Sequence, residues 1–259
     1  MAKQPKIGIS FSGGGTRGAA HIGVVQALNE HDIKADYVAG TSAGAIVGSL
    51  YAAGLSVDEM MQFAGEGKLL KLFQAKLPTK GLVSLDYLGK LLEKYINADS
   101  FEELKIPLFV VTSNLMSGQK ETFYKGKLFE VVMASCAIPL IFKPVEINGQ
   151  IHIDGGIFDN MPVECLRPHC DIIIGINLIP IMPLKKKNLK SLYSIGMRSF
   201  DMHVAHNSLM NFPLCDVVIE PTEVKDFSIF NFGAYKKMHQ YGYEAAMLKM
   251  DELKELVFG

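Results

Sequence analysis

Strand-like runs alternate with helix-like runs along almost the whole chain, and the strongest strand-like run carries no polar alternation. Residues 107–113 read Pro-Leu-Phe-Val-Val-Thr-Ser. A strand with one wet face alternates apolar with polar side chains, whereas an unbroken apolar strand is covered on both faces. Strands separated by helices supply that cover, so the pattern predicts a mostly parallel sheet with helices on both sides. Strands are expected at residues 6–12, 37–40, 107–113, 120–124, 145–154, 171–178 and 216–220. The fifth of these turns at Asn148-Gly149. Helices are expected at 18–30, 44–53, 57–65, 85–96, about 189–210 and about 233–257. No repeat, low-complexity tract or charged linker divides the chain, so residues 1–259 are read as a single domain.

Composition narrows the function classes. With 26 basic and 27 acidic residues the net charge is −1, which offers no global field for nucleic acid. Hydrophobic residues make up 49% and mean hydropathy is +0.19, too apolar for a disordered chain. The longest apolar run, residues 172–184, is interrupted by Asn177, Pro180 and Pro183 and is too short to cross a bilayer. Residues 1–6 lack the features of a signal peptide, so a cytoplasmic protein is expected, with peripheral contact at the inner membrane surface. Cys136, Cys165, Cys170 and Cys215 form no Cys-x-x-Cys pair and are read as free thiols. No acidic cluster has calcium-site spacing, and neither metal nor cofactor is expected.

Three glycine-rich motifs fall at strand ends, where open α/β sheets gather their ligands. Gly13-Gly14-Gly15-Thr16-Arg17-Gly18 follows the first strand. As G-x-G-x-x-G it is a weak dinucleotide signal, because the second strand ends in Gly40-Thr41-Ser42 rather than in a ribose-binding acid. Consecutive glycines also let backbone N–H groups crowd around an anion, the requirement of an oxyanion hole. Gly40-Thr41-Ser42-Ala43-Gly44 is a G-x-S-x-G set between a strand and a helix, the context of a nucleophile elbow. Asp154-Gly155-Gly156 follows a third strand and places an acid where a serine nucleophile needs a base, although an Asx-turn is the plainer use of such a sequence.

In this order and at these separations the motifs resemble the signature of the patatin-like phospholipase family. The run from Ala134 to Pro139, the following Phe142-Lys143-Pro144 and the pair Asn160 and Pro162 resemble further family blocks. The motif core covers about residues 6–162, and the chain resembles a compact, bacterial-type, single-domain member. The resemblance implies a three-layer α/β/α sandwich and a lipid acyl hydrolase acting on phospholipids or lysophospholipids through a Ser–Asp dyad. Ser42 is then the nucleophile and Asp154 the general base and acid. Gly13, Gly14 and Gly15, with the helix N-terminus at Ala43 and Gly44, supply the oxyanion hole. Arg17, Gly18, Gly40, Gly155, Gly156 and Asn160 support substrate or loops. Arg17 has two readings, steadying its loop or attracting a headgroup phosphate.

Alternatives stay open at this stage: an acyltransferase using the same acyl-enzyme, a non-catalytic lipid-binding or regulatory member, and a nucleotide-binding protein. A histidine base is also admissible, with His169, His203, His206 and His239 placed after the serine and His152 beside Asp154. His206 falls among Leu192, Ile195, Met202 and Leu209 on one helical face and is read as a core histidine. Two segments are candidates for an acyl entrance: residues 60–63 with 69–73, and residues 227–232 beside Tyr235. Lys185, Lys186 and Lys187 are candidates for contact with anionic headgroups. Oligomeric state is open.

Overall fold

The computed structural model describes residues 4–66, 83–180, 183–184, 189–227 and 232–259. At its centre lies an eight-stranded sheet. The strands are β1 Ile7–Phe11, β2 Tyr37–Gly40, β3 Leu108–Asn114, β4 Gln119–Phe123, β5 Val145–Ile147, β6 Gln150–Asp154, β7 Ile172–Ile176 and β8 Val217–Ile219. β3, β2, β1, β7 and β8 run parallel in that order. β4, β5 and β6 form an antiparallel flank. The difference follows from the connections: β5 and β6 are joined by Asn148 (φ 51°) and Gly149 (φ 76°), a tight left-handed turn that permits only a hairpin. Every residue of β1 and β7 is buried, as strands covered on both faces require.

The described α-helices are α1 Ala19–Glu30, α2 Ala43–Ala52, α3 Val57–Ala64, α4 Asp86–Tyr95, α5 Leu128–Ser135, α6 Leu192–Met210, α7 Tyr235–Met247 and α8 Met250–Phe258. Val38 and Ile174 enter the larger core beneath α1 and α2, while their neighbours Ala39 and Ile173 pack on the opposite face with Met161, Val163 and Leu166. The result is the expected sandwich. Three local expectations change. The C-terminal helix breaks at Leu248, which is 87% exposed, so that Met250 and Leu253 turn into the core. α5 occupies a segment for which no element was expected; Leu128, Val131, Val132 and Ser135 face inward at helical spacing. The face of α6 with Leu192, Ile195, Met202 and Leu209 is solvent-exposed, at 90, 49, 52 and 45%, and His206 is exposed with it. Periodicity located the stripe correctly but put it on the wrong side.

One feature of the register positions the site. Val110 of β3 pairs with Gly40 and with Phe123, whereas Thr112 pairs with Asp154 and with Glu121. Since β4 occupies one edge of β3 at both positions, β2 and β6 share the other edge end to end. β2 runs parallel and β6 antiparallel, so their C-terminal ends point at each other across Val111.

Candidate active site

Ser42 follows the end of β2 and opens α2 with φ 54° and ψ −120°. A left-handed non-glycine residue of this kind stores about 1–3 kcal/mol and persists only where its surroundings over-determine it. Here they do. A side chain on Gly40 would run into the backbone of Gly44, and one on Gly44 into the Phe11 and Ser12 carbonyls, so the turn closes only with glycine at both places. The Ser42 N–H donates to Ser135 Oγ at 2.9 Å, and that hydroxyl donates to the Val111 carbonyl at 2.7 Å. Ser135 therefore bridges the gap between the ends of β2 and β6.

Asp154 ends β6 on the other side of that gap and is 3% exposed. Its Oδ1 accepts from the Gly156 N–H at 2.8 Å, and the Ser42 hydroxyl lies beside it. Burial pushes the carboxyl up to about 6, against the opposing pull of those two groups. Burial likewise raises the thiol of Cys136, which neighbours both Ser42 and Asp154. Gly155 packs directly on the Val111 carbonyl, leaving no room for a side chain.

The loop after Asp154 is held by Asn160, which the motifs announced, and by α6 residues that they did not. Asn207 of α6 donates to the Gly156 carbonyl at 2.7 Å and to the Ile157 carbonyl at 3.2 Å, and accepts from the Asn160 N–H at 2.9 Å. Asn160 donates through Nδ2 to Ser208 Oγ at 2.8 Å, and its carbonyl accepts from the Gly13 N–H at 3.0 Å. Asp159 is buried against Lys120 at 3.1 Å and Asn211 at 2.8 Å, while Thr41 Oγ1 donates to its carbonyl at 2.7 Å. One network thus fastens the aspartate loop to the serine turn and to the glycine loop.

That network corrects one expectation. The Gly13 N–H is spent on Asn160 and the Gly44 N–H on the Thr41 carbonyl, so neither is available to an oxyanion. Among the described residues, the N–H groups of Gly14, Gly15 and Ala43 donate to no protein acceptor. Arg17 is anchored in its loop and also lines the cleft beside Ser42. Its guanidinium donates to the Leu178 carbonyl at 3.1 Å and to the Phe227 carbonyl at 2.8 and 3.1 Å, tying the glycine loop to two other segments. Gly18 lies against the Ala43 methyl, whose Cβ would be 3.1 Å from an added one. His21, fully buried and held near 4 by desolvation, is neutral and bonds the Ser12 carbonyl at 2.8 Å beneath the same loop.

Ser42 lies where two lobes of a cleft meet. One, of about 180 Å³, is lined by Gly14, Gly15, Asp154, Arg198, Asp201 and Lys225 among others. The other, of about 90 Å³, is lined chiefly by apolar groups, including Ile46, Leu50, Phe63, Leu88 and Tyr235. Phe63 and Tyr235 thus stand where an acyl entrance was expected, whereas Met60 is core. Residues 69–73, 228–231 and Lys185, Lys186 and Lys187 lie outside the described residues. Three of the histidine candidates are engaged elsewhere. His152 bonds Thr112 Oγ1 at 2.9 Å, His203 bonds the Ile157 carbonyl at 2.6 Å, and His169 stacks on Tyr37. His239 is half-buried on α7. All four cysteines are free thiols. Among the described residues no cluster of three or more His, Cys, Asp or Glu is placed to hold a metal ion, and no helix is long and apolar enough to cross a membrane.

A family model described as Patatin-like phospholipase matches residues 9–166. An uncharacterised NTE family protein of Mycobacterium bovis is 32% identical over 181 residues, which cover 68% of this chain and 50% of the relative. Lysophospholipase NTE1 of Mycosarcoma maydis is 32% identical over 166 residues, 62% of this chain and 9% of that protein. The chain spans about half the length of the mycobacterial relatives it matches. Among solved structures, VipD from Legionella pneumophila superposes with a TM-score of 0.56 at 17% identity, covering 97% of this chain and 67% of that one, a likeness of fold.

Proposed function

The chain belongs to the patatin-like phospholipase family, and from that premise we propose that it is a serine lipid acyl hydrolase. It cleaves carboxylic esters of phospholipids or lysophospholipids through an acyl-enzyme. The observation that carries this reading is the strained Ser42 turn lining one lobe of the cleft together with the buried Asp154 carboxyl. Ser42 Oγ attacks the ester carbonyl carbon while its proton passes to Asp154. The carbonyl π electrons move to oxygen, and the resulting oxyanion is met by the free N–H groups at Gly14 and Gly15. Each such donor is worth about 3 kcal/mol of barrier. Collapse of the intermediate breaks the bond to the alcohol oxygen, which leaves with the proton held by Asp154. Water then attacks the acyl-Ser42 with Asp154 again taking the proton, releasing the fatty acid and restoring the hydroxyl.

A free aspartate is a weak base for a serine. Raising Asp154 to about 6 brings it closer to the serine it must deprotonate while leaving it largely ionised at neutral pH. We place the enzyme in the cytoplasm with peripheral access to lipid. Covalent labelling by a fluorophosphonate tests the chemistry: wild type should be labelled at Ser42, and Ser42→Ala should not. Equal labelling of both proteins removes the central claim.

A further inference from the structure

The two lobes meeting at Ser42 differ in which reacting group they reach, and the difference assigns the substrate's two halves. Only the 180 Å³ lobe contains Asp154, together with Gly14 and the charged groups of Arg198, Asp201 and Lys225. The 90 Å³ lobe shares Gly15, Ser42 and Ile138 with it but lacks Asp154. On the hydrolase reading above, the departing alkoxide takes its proton from Asp154, so the alcohol leaves on the Asp154 side. The acyl substituent lies on the other side of the trigonal carbonyl carbon and is directed into the lobe without Asp154.

The lining agrees with that direction. Ile22, Ile46, Val47, Leu50 and Leu88 offer a headgroup no partners, and burying an uncompensated polar group there is costly. Ala43, Ile46, Val47 and Leu50 place the lobe along one side of α2, and the rise from the first to the last is about 10 Å. The lobe is open on one side, and its space of about 90 Å³ is half that of the charged lobe. Two aromatic side chains bound it. Phe63 is 4% exposed and packs edge-on against Tyr95 at 5.4 Å, and the Tyr235 ring lies over Gly65 at the end of α3.

We propose that the apolar lobe is the acyl-chain subsite and that Phe63 and Tyr235 determine the acyl length accepted, while the charged lobe receives the alcohol with its headgroup. Chains longer than the lobe require these rings to move, so short and medium chains are preferred.

The test is kcat/KM for 4-nitrophenyl butyrate, octanoate, dodecanoate and palmitate with wild type, Phe63→Ala, Tyr235→Ala and the lobe-filling Ala64→Leu. A second series holds the acyl chain of a lysophospholipid at dodecanoyl and varies its headgroup. Wild type should fall about tenfold or more from octanoate to palmitate. Phe63→Ala and Tyr235→Ala should flatten that fall, and Ala64→Leu should steepen it, with the headgroup ranking unmoved. Folding of each variant is checked by its thermal melt, and half-exposed Tyr235 guards against loss of the Phe63 variant. A wild-type length profile in the folded variants overturns the assignment while leaving the hydrolase reading intact, as does a change in headgroup ranking instead. If wild type hydrolyses none of the esters and Ser42 escapes the fluorophosphonate, the hydrolase reading fails and the assignment with it.

Discussion

Replacing Asp154 by Asn removes a charge that the fold holds against its own preference. The carboxyl sits near 6 in the folded protein against 3.8 in an exposed aspartate, because burial penalises the ionised form. A raised carboxyl constant means that folding favours the protonated group. That advantage is complete below about pH 4 and lost as pH rises through 6. A difference of about two units at 1.36 kcal/mol each gives about 3 kcal/mol of strain in the wild type at pH 8. Asn keeps the shape, can accept from the Gly156 N–H and can donate to Ser42, and has no charge to desolvate. The variant should therefore be inactive yet more stable by about 2–3 kcal/mol at pH 8, and its advantage should shrink steadily between pH 6 and 4. Urea unfolding at half-unit steps from pH 4.5 to 8 measures this, provided the denaturant slope is the same for both proteins. An advantage that does not change with pH, or a variant less stable than wild type at pH 8, refutes the account of Asp154 as a buried, reluctant anion.

Further outcomes follow from the same geometry. The wild-type kcat/KM should rise with pH to a plateau above about 6 as Asp154 ionises, and a pH–rate profile with a soluble ester reads that limb. Ser135→Ala leaves the Ser42 N–H and the Val111 carbonyl without their shared partner; it should cost about 2 kcal/mol or more in urea unfolding and lower kcat. Asn207→Ala releases the turn after Asp154 from three hydrogen bonds and should lower kcat by about tenfold with little change in KM. Stopped-flow measurement of acylation then separates loss of positioning from loss of folded protein. Gly44→Ala forces a methyl into the Phe11 carbonyl and should leave little soluble protein, as yield and circular dichroism would record.

The strand–helix alternation and the three motifs were legible because each is local. An unbroken apolar run declares a two-sided strand, and a tight strand-to-helix turn needs glycine where backbones touch. Asn207 was not legible, and Ser135 only as a member of the Ala134–Pro139 block with no role attached, since a serine after an apolar run and an asparagine on a helix are ordinary until the fold brings a carbonyl or a loop beside them. The same limit explains Gly13, which reads as a third oxyanion donor until Asn160 arrives to accept its N–H. It also explains α6, where Leu192, Ile195, Met202 and Leu209 recur at helical spacing yet face solvent. Period tells which side chains share a face; only the packing of neighbours tells which face is dry.

The end-to-end meeting of β2 and β6 on one edge of β3 also bears on how the protein folds. Ser42 arrives with a parallel crossover and Asp154 with a hairpin, and neither chain segment can place the other's side chain. Hydrolytic competence during refolding is therefore a late event, reached only when both strands have docked on β3, and it should trail the recovery of helical signal. A fragment that stops before β5 has the serine but neither the aspartate nor the Asp159 carbonyl that holds the serine turn.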